Sequence, residues 1–291
     1  MKTAVMTDSN SGIKPEEGKK LGIFSLPMPV IIDGEVYFEG QDITQEKFYD
    51  DMIGGKDITS SQPSPGDVLD MWDEILENGY EEVVYIPMSS GLSASCHAAT
   101  QLAQEYDGKV QVVDNHRISV TMRESVLEAK MMADKGASAF EIKEKLEADA
   151  YKSSIYIAVD TLEYLKKGGR VTAAGAAIGA VLNIKPVLTI QGEKLDAFAK
   201  VRGMKKAEIK MLDAIEEDLN ERFKNVDRDK IRIGVAGTFL NQEDADEWCE
   251  MVKERFSDIG DIWYDPLSFS IGCHVGPNAI GVAIIETSRV L

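Results

Sequence analysis

Residues 83–95 read VVYIPMSSGLSAS, an apolar strand that runs directly into a loop rich in serine. The helical run Ala98–Tyr106 follows this loop. In an open α/β sheet, ligands bind at the loop beyond the carboxyl end of a strand, and free N–H groups at the start of the next helix favour an anion. Serine hydroxyls add further donors, so the loop predicts a carboxylate or phosphate site. The alternative interpretation is that Ser93 only caps the helix.

Short β-rich segments alternate with amphipathic helical stretches along the chain. Two helices have clear start signals, Ser64 three residues before Asp67 and Ser138 three residues before Glu141. Strands and helices in alternation are typical of α/β layers with parallel pairing. The predicted strands are Thr3–Met6, Phe24–Ile32, Val83–Ile86, Val110–Val113, Ile155–Val159, Val187–Ile190, Ile231–Val235, Ile262–Leu267 and Ala279–Ile285.

The second half of the chain has a different pattern. Pro186–Gln191 and Leu195–Lys200 flank a short turn that contains glycine, and this hairpin pattern implies antiparallel pairing. We therefore predict two α/β domains with a boundary near residues 150–160. Residues 1–155 form an N-terminal α/β domain with a mostly parallel, three-layer sheet, and residues 156–291 form a C-terminal domain with a mixed sheet and helices.

Charge and composition limit the possible partners. The chain of 291 residues has 32 basic and 50 acidic side chains, a net charge of −18. This charge argues against nucleic acid, whose phosphates would be repelled, and against broad docking on anionic lipid. No segment reaches the roughly 18 consecutive apolar residues of a membrane span, and the N-terminus lacks a signal-peptide pattern. The three cysteines show no CxxC spacing, so a reduced cytoplasm is the expected location.

Neither a metal ion nor a nucleotide cofactor is expected. The three histidines, His97, His116 and His274, are far apart in sequence, and none pairs with a second ligand at helical spacing. The dinucleotide motif G-x-G-x-x-G and the P-loop motif G-x-x-x-x-G-K-[ST] do not occur. We interpret the Gly175–Gly179 segment as close helix packing.

A serine esterase or acyl hydrolase that uses Ser93 is the rival hypothesis. The segment GLSAS at 91–95 nearly matches the G-x-S-x-G nucleophile elbow, although its last glycine is Ser95 here. A catalytic triad would also need an acid and one of the three histidines. From these residues alone, both the carboxylate or phosphate site and the esterase remain open.

Two other loops carry polar groups suited to a ligand. Residues 59–65 form a hydroxyl-rich segment before the helix capped by Ser64. Residues 272–277 are interpreted as a glycine-bracketed loop between two strands, which presents His274 without crowding. Each loop alone is explained by turn or cap formation, so the functional hypothesis requires that they come together.

Seven segments share a recognisable order and spacing: TDS at 7–9, SSQPS at 60–64, SSGLS at 89–93, DTLEYLKKGGR at 160–170, NIKP at 183–186, RG at 202–203 and HVGP at 274–277. Together they resemble the DegV family over nearly the whole chain. The resemblance implies two α/β domains with the ligand between them. It also implies binding of a long-chain fatty acid, as in the fatty-acid-binding subunits of bacterial fatty acid kinase, where a separate ATP-using subunit phosphorylates the carboxylate for phospholipid synthesis.

The resemblance also assigns ligand-binding residues. The carboxylate is expected to meet the hydroxyls of Ser60 and Ser93, beside Ser61, with Arg202 or protonated His274 supplying positive charge. No catalytic residue is expected, because the phosphate would come from the nucleotide of the partner subunit. The protein is therefore predicted to be a non-catalytic lipid-binding subunit.

This chain departs from the family pattern at two positions near the expected carboxylate. Ser60 stands where the family usually has threonine, which keeps the hydroxyl but loosens its rotamer. Ala94 stands where the family usually has glycine, so it could shift the backbone beside Ser93. The tail needs an apolar tunnel, and Ala173–Leu182 is a candidate wall; an ordinary buried helix is the alternative.

Positive charge is concentrated in two basic islands of this acidic chain. Residues 194–210 hold six basic side chains against two acidic ones, and Lys166, Lys167 and Arg170 form the second island. We expect these islands to contact an anionic membrane surface transiently, or an acidic face of the kinase subunit. The alternative is that they are simply solvated.

Overall fold

The computed structural model describes residues 2–177 and 184–289. The strands are β1 (Thr3–Asp8), β2 (Phe24–Leu26), β3 (Pro29–Ile32), β4 (Glu35–Phe38), β5 (Ile58–Ser60), β6 (Glu82–Ile86), β7 (Val110–Val112), β8 (Ser153–Ala158), β9 (Ile184–Ile190), β10 (Asp196–Arg202), β11 (Ile231–Gly237), β12 (Ile262–Pro266) and β13 (Ile280–Glu286). The helices are α1 (Pro15–Leu21), α2 (Gln45–Ile53), α3 (Pro65–Glu77), α4 (Ser95–Leu102), α5 (Ser119–Asp134), α6 (Ala139–Ala148), α7 (Glu163–Gly168), α8 (Ala173–Ala176), α9 (Met204–Asn220), α10 (Gln242–Arg255) and α11 (Phe269–Val275). None of the helices in these two ranges combines the length and apolar character that a membrane crossing requires.

The first sheet is parallel and has the strand order β2-β1-β6-β7. All six residues of β1 are buried, as expected for a strand covered on both faces. Helices α5 and α6 pack on one side of this sheet, and α3 and α4 on the other. The prediction of a mostly parallel three-layer arrangement is confirmed.

The predicted strand Phe24–Ile32 is divided between two sheets. Its first part is β2 of the parallel sheet, whereas its second part is β3 of a separate antiparallel sheet with the order β4-β3-β5. Pro27 and Pro29 lie at the break, and proline has no N–H to donate to a continuing ladder. The sequence did not predict β4 and β5, because β4 is largely exposed and β5 has only three residues.

The second large sheet is mixed and has the order β10-β9-β8-β13-β11-β12. Among the described strands of this sheet, only β11 and β12 pair in parallel, and the predicted β9–β10 hairpin is confirmed as an antiparallel pair. Every strand that the structure describes in this sheet begins at or after Ser153. The exact domain boundary at residues 155 and 156 stays a prediction.

The two large sheets share one apolar core. A single cluster contains Val84 and Ile86 of β6 as well as Ile157 of β8 and Ala283 of β13. The serine-rich loop after β6 contacts the β9–β10 turn, where the Ser89 hydroxyl donates a 2.6 Å hydrogen bond to the carbonyl oxygen of Gly192. This contact holds the predicted ligand-binding loop over the mixed sheet.

The predicted helix starts are confirmed. The Ser64 side chain accepts a hydrogen bond from the amide of Asp67, and Ser138 forms a capping box with Glu141. These local signals succeeded because the capping residue and its partner lie within one turn of each other.

Candidate functional site

A cavity of about 880 Å³, its open mouth included, lies between the parallel sheet and the mixed sheet. Most of its wall is apolar and comes from the loops after β2 and β6, the start of α5, the mixed sheet, α7 and α11. The apolar lining consists of Met28, Met88, Leu92, Ile118, Val120, Ile155, Ile157, Leu165, Ile190, Leu195, Ala236, Leu267, Ile271, Val275 and Val282.

The polar side chains of the lining are gathered mainly at one end, which we call the polar end. Several of them are open to solvent, including Ser61 and Gln62, so the polar end lies at the mouth. The lining also includes the hydroxyl residues Ser119, at the start of α5, and Ser270, one turn before His274 on α11. The polar end is formed by Ser60, Ser61, Gln62, Ser93, Arg170 and His274.

The predicted residues Ser60 and His274 are in direct contact. The Ser60 Oγ and the His274 Nε2 lie 2.8 Å apart and are hydrogen-bonded. Ser60 is the last residue of β5, and His274 lies in the last turn of α11. The expectation that His274 lies in a loop is wrong, because Ser268 accepts the amide of Ile271 and starts a helix that Gly276 ends.

His274 is neutral near pH 7. Burial, together with the positive charge of Arg170, lowers the pKa of its imidazole to about 4. The sequence-based idea that a protonated His274 supplies charge is therefore not supported in the free protein. A neutral imidazole still offers one donor and one acceptor.

Arg170 supplies the positive charge at the polar end. Its Nε donates a 3.2 Å hydrogen bond to the carbonyl oxygen of Leu92, and its Nη1 donates to the carbonyl oxygen of Gly168. These two bonds hold the guanidinium beside Ser93. Gly168 also makes room for the imidazole, because a Cβ at this position would overlap the His274 ring.

Arg202, the arginine predicted to meet the carboxylate, lies elsewhere. It is the last residue of β10, on the edge of the mixed sheet, and it is exposed. It is not among the residues that line the cavity. Sequence reasoning chose Arg202 over Arg170, although Arg170 ends the motif segment 160–170; only the turn after α7 brings it to the loop of Ser93.

The hydroxyl of Ser93 contacts local backbone rather than a histidine, and Ser93 is not the cap of α4, because the N-cap residue is Ala94, which makes no side-chain cap bond. The Ser93 Oγ accepts a 3.2 Å hydrogen bond from the amide of Ser95 at the start of α4. Within the part of the chain that the structure describes, no hydrogen bond joins Ser93 to a histidine, and His274 is bonded to Ser60 instead. In those same residues no group of three histidine, cysteine, aspartate or glutamate side chains is arranged to hold a metal ion.

The predicted tunnel wall Ala173–Leu182 is covered only in part. Residues 178–183 lie outside the described residues, and α8 spans Ala173–Ala176 without contributing to the described lining. The described part of the wall comes largely from the mixed sheet and α11.

Comparisons with known proteins agree over the full length of the fold. The profile of a family described as "Uncharacterised protein, DegV family" matches residues 2–287. The chain belongs to the DegV family. A DegV domain-containing protein of Deinococcus radiodurans is 32% identical over 286 residues, which cover 98% of both chains.

Solved structures of other DegV family proteins have the same fold. One is that of a fatty-acid-binding DegV family protein from Thermus thermophilus, with a TM-score of 0.87 and 29% identity over 99% of this chain and all of that one. Another is DegV from Bacillus subtilis, described as a fatty acid binding protein, with a TM-score of 0.84 and 27% identity over the same shares. The predicted family and two-domain α/β fold class are thus confirmed.

Asp8 of this DegV family protein fixes the backbone of Met88, a residue of the cavity lining. Its carboxylate accepts 2.9 Å hydrogen bonds from the amides of Asn10 and Met88, and Met88 lines the cavity. Complete burial raises the pKa of Asp8 to about 6, although these hydrogen bonds oppose the rise. Asp8 belongs to the TDS motif that was recognised in the sequence. Its role in positioning Met88, however, depends on the tertiary contact between the ends of β1 and β6.

We predict that His274 lowers the free energy of unfolding of this DegV family protein in acid. The unfolded imidazole has a pKa near 6.5, whereas burial and Arg170 lower the folded pKa to about 4. The unfolded state therefore binds the proton first, so stability falls as pH drops from about 6.5 to 4, by about 3 kcal/mol. Urea unfolding of His274→Gln should lack this loss. The exposed His97→Gln variant is the control and should keep it; equal acid sensitivity in all three proteins would refute the assignment.

Proposed function

We propose that this protein binds a long-chain fatty acid, with the carboxylate at the polar end and the tail in the apolar cavity. The observation that carries the proposal is one cavity with a single charged, solvent-open end and a mainly apolar remainder. This polarity matches a carboxylic acid with a long alkyl chain. The fatty-acid binding of the related Thermus and Bacillus proteins supports the same ligand class.

The polar end can compensate a carboxylate. A carboxylate that leaves water without partners is costly. Arg170 offers a positive charge, the hydroxyls of Ser60 and Ser93 offer donors, and Ser61 lies beside them at the mouth. The imidazole of His274 orients Ser60 through their hydrogen bond. Charge-assisted hydrogen bonds of this kind are stronger than neutral ones.

The tail contributes most of the binding energy. A C16 to C18 acid has about 16 methylenes, and at about 0.8 kcal/mol each their transfer from water is favourable by about 13 kcal/mol. Ordering and association consume part of this gain. Before these costs, the gain exceeds the roughly 1.5–3 kcal/mol that one hydrogen bond to a charged group contributes.

Mass spectrometry of the protein purified without added lipid tests the ligand class. We expect C16 to C18 acids to be released on denaturation, and the delipidated protein to bind added fatty acid. The proposal fails if no acyl chain is found and added acid of any length does not bind.

We further propose that the protein is a non-catalytic carrier. Ser93→Ala should lose about tenfold in fatty-acid affinity, and neither wild type nor variant should hydrolyse acyl esters such as p-nitrophenyl palmitate. Ser64→Ala, outside the cavity lining, is the matched control and should bind normally. Ester turnover in wild type that disappears in Ser93→Ala would favour the esterase instead.

The resemblance to fatty acid kinase subunits extends the proposal to partners. The exposed mouth at Ser61 and Gln62 leaves the carboxylate accessible to a separate ATP-using subunit in the cytoplasm. The basic island at residues 194–210 would meet that subunit or an anionic membrane, although Lys205 is already paired with Glu247 at 2.6 Å. Charge reversal of Lys205 and Lys206 to glutamate should weaken binding to phosphatidylglycerol vesicles or to a purified kinase subunit; unchanged binding to both would remove this role.

A further inference from the structure

The cavity exists because one face of the mixed sheet carries small residues. Residues 280–284 of β13 read IGVAI and residues 233–236 of β11 read IGVA, so glycine and alanine alternate with isoleucine and valine. The large residues pack in the cluster under α9 and α10, whereas the alanines belong to the cluster around the cavity. A sheet covered on both faces normally has large aliphatic residues on both. The missing volume is therefore on the cavity face alone.

Gly281 is at the centre of this face. It pairs with Ala236 on one side and with Ile157 on the other, and all three residues line the cavity. We call these three residues the central row. The next row contains Gly234, Ala283 and Ile155.

Gly234 and Gly281 differ in the space that a side chain would find at each position. At Gly234 an added Cβ would lie 2.5 Å from the Val120 Cβ, so that space is already filled by α5. At Gly281 the nearest atom to an added Cβ would be the Tyr156 carbonyl oxygen at 3.5 Å, an ordinary contact. A side chain at Gly281 would therefore fit the backbone and extend into the cavity.

Neither backbone conformation nor hydrogen bonding requires a glycine at this position. Gly281 has ordinary strand conformation rather than a positive φ. Its carbonyl accepts a 3.1 Å hydrogen bond from the Trp248 indole, which any residue would preserve. Glycine inside a strand is destabilising and often marks close approach of a ligand.

We propose that Gly281 determines the length of the acyl tail that the cavity accepts. The chain runs along β8 from Ile155 to Ile157 and continues toward α7 and Arg170. We therefore expect a tail anchored at the polar end to cross the central row before it reaches Ile155 and Val120. A larger side chain at Gly281 closes the cavity at that row. This inference rests on the proposed fatty-acid function and deepens it, because it assigns the selectivity for long over short chains to one position.

The test is a panel of saturated acids from C8 to C18, measured by competition with a fluorescent fatty acid on delipidated protein. Gly281→Leu should bind C16 and C18 about 100-fold more weakly than wild type, while C8 and C10 change by less than about threefold. Gly281→Ala adds one carbon and should weaken C18 by about fourfold. Ala236→Val, in the same row, should act in the same direction.

Gly260→Leu is the matched control, because a Cβ added at this exposed position would meet no atom within 4 Å. It should leave the whole panel unchanged. The inference is overturned if folded Gly281→Leu, or Gly281→Ala should the leucine variant not fold, retains wild-type affinity for C18. Failure of the underlying function has a different signature, since wild type itself would then bind no acid of any length.

Discussion

Replacing Arg170 with alanine is expected to weaken the binding of a C18 acid by about 100-fold. The guanidinium is the positive charge held at the polar end, through hydrogen bonds to the carbonyl oxygens of Leu92 and Gly168. A carboxylate that loses this partner keeps only neutral donors, and hydrogen bonds to charged groups contribute about 1.5–3 kcal/mol. Isothermal titration with delipidated protein measures the effect directly.

Arg202→Ala is the matched control for this prediction. Arg202 is exposed on the edge strand β10 and is absent from the described lining, so its loss should change affinity by less than about twofold. Arg170→Lys should fall between the two, because lysine keeps the charge without the fixed geometry of the guanidinium. The opposite ranking, with Arg202→Ala the weaker binder, would restore the residue predicted from the family resemblance. Circular dichroism of each variant separates lost binding from lost folding.

Shortening the ligand from C18 to C10 is expected to cost the wild-type protein at least about 1,000-fold in affinity. Eight methylenes at about 0.8 kcal/mol each set an upper limit of about 6 kcal/mol, and a 1,000-fold change corresponds to about 4 kcal/mol. Each methylene adds to the affinity because it leaves water for an apolar lining, in which residues such as Ile118, Val120 and Ile157 are almost fully buried. The measurement is the same titration with even-numbered acids.

A C18 alcohol separates the contributions of head and tail. It keeps the tail but removes the charge, so it should lose about 100-fold relative to the C18 acid and still bind more tightly than the C10 acid. An affinity that does not depend on chain length would contradict an apolar tail site. An affinity equal for acid and alcohol would contradict the carboxylate role of Arg170.

Local signals in the sequence predicted the fold elements well where the partners are close in the chain. The helix caps at Ser64 and Ser138, the β9–β10 hairpin and the alternation of strands with helices were all found this way. The failures are non-local. The segment 24–32 contributes to two sheets, and the short strands β4 and β5 are stabilised by pairing with β3 rather than by their own pattern.

The candidate site likewise divides into features that the sequence predicted and features that it did not. Ser60, Ser61, Ser93 and His274 were predicted and do line one cavity. Arg170 was missed as the cation at the polar end, although the motif segment that contains it was recognised. The small-residue face around Gly281 was also missed, yet its signal was present as the alternation of small and large residues in β11 and β13.

The sequence by itself determined the family, the two-domain α/β class and the hydroxyl-rich loops, because these depend on residue types at short spacing. Only the tertiary structure decided that Arg170 rather than Arg202 lies at the polar end and that the imidazole of His274 is neutral near pH 7. Segments more than 200 residues apart form the Ser60–His274 contact, and burial beside Arg170 sets the pKa of His274. Proximity and desolvation arise from packing, so no local pattern encodes them.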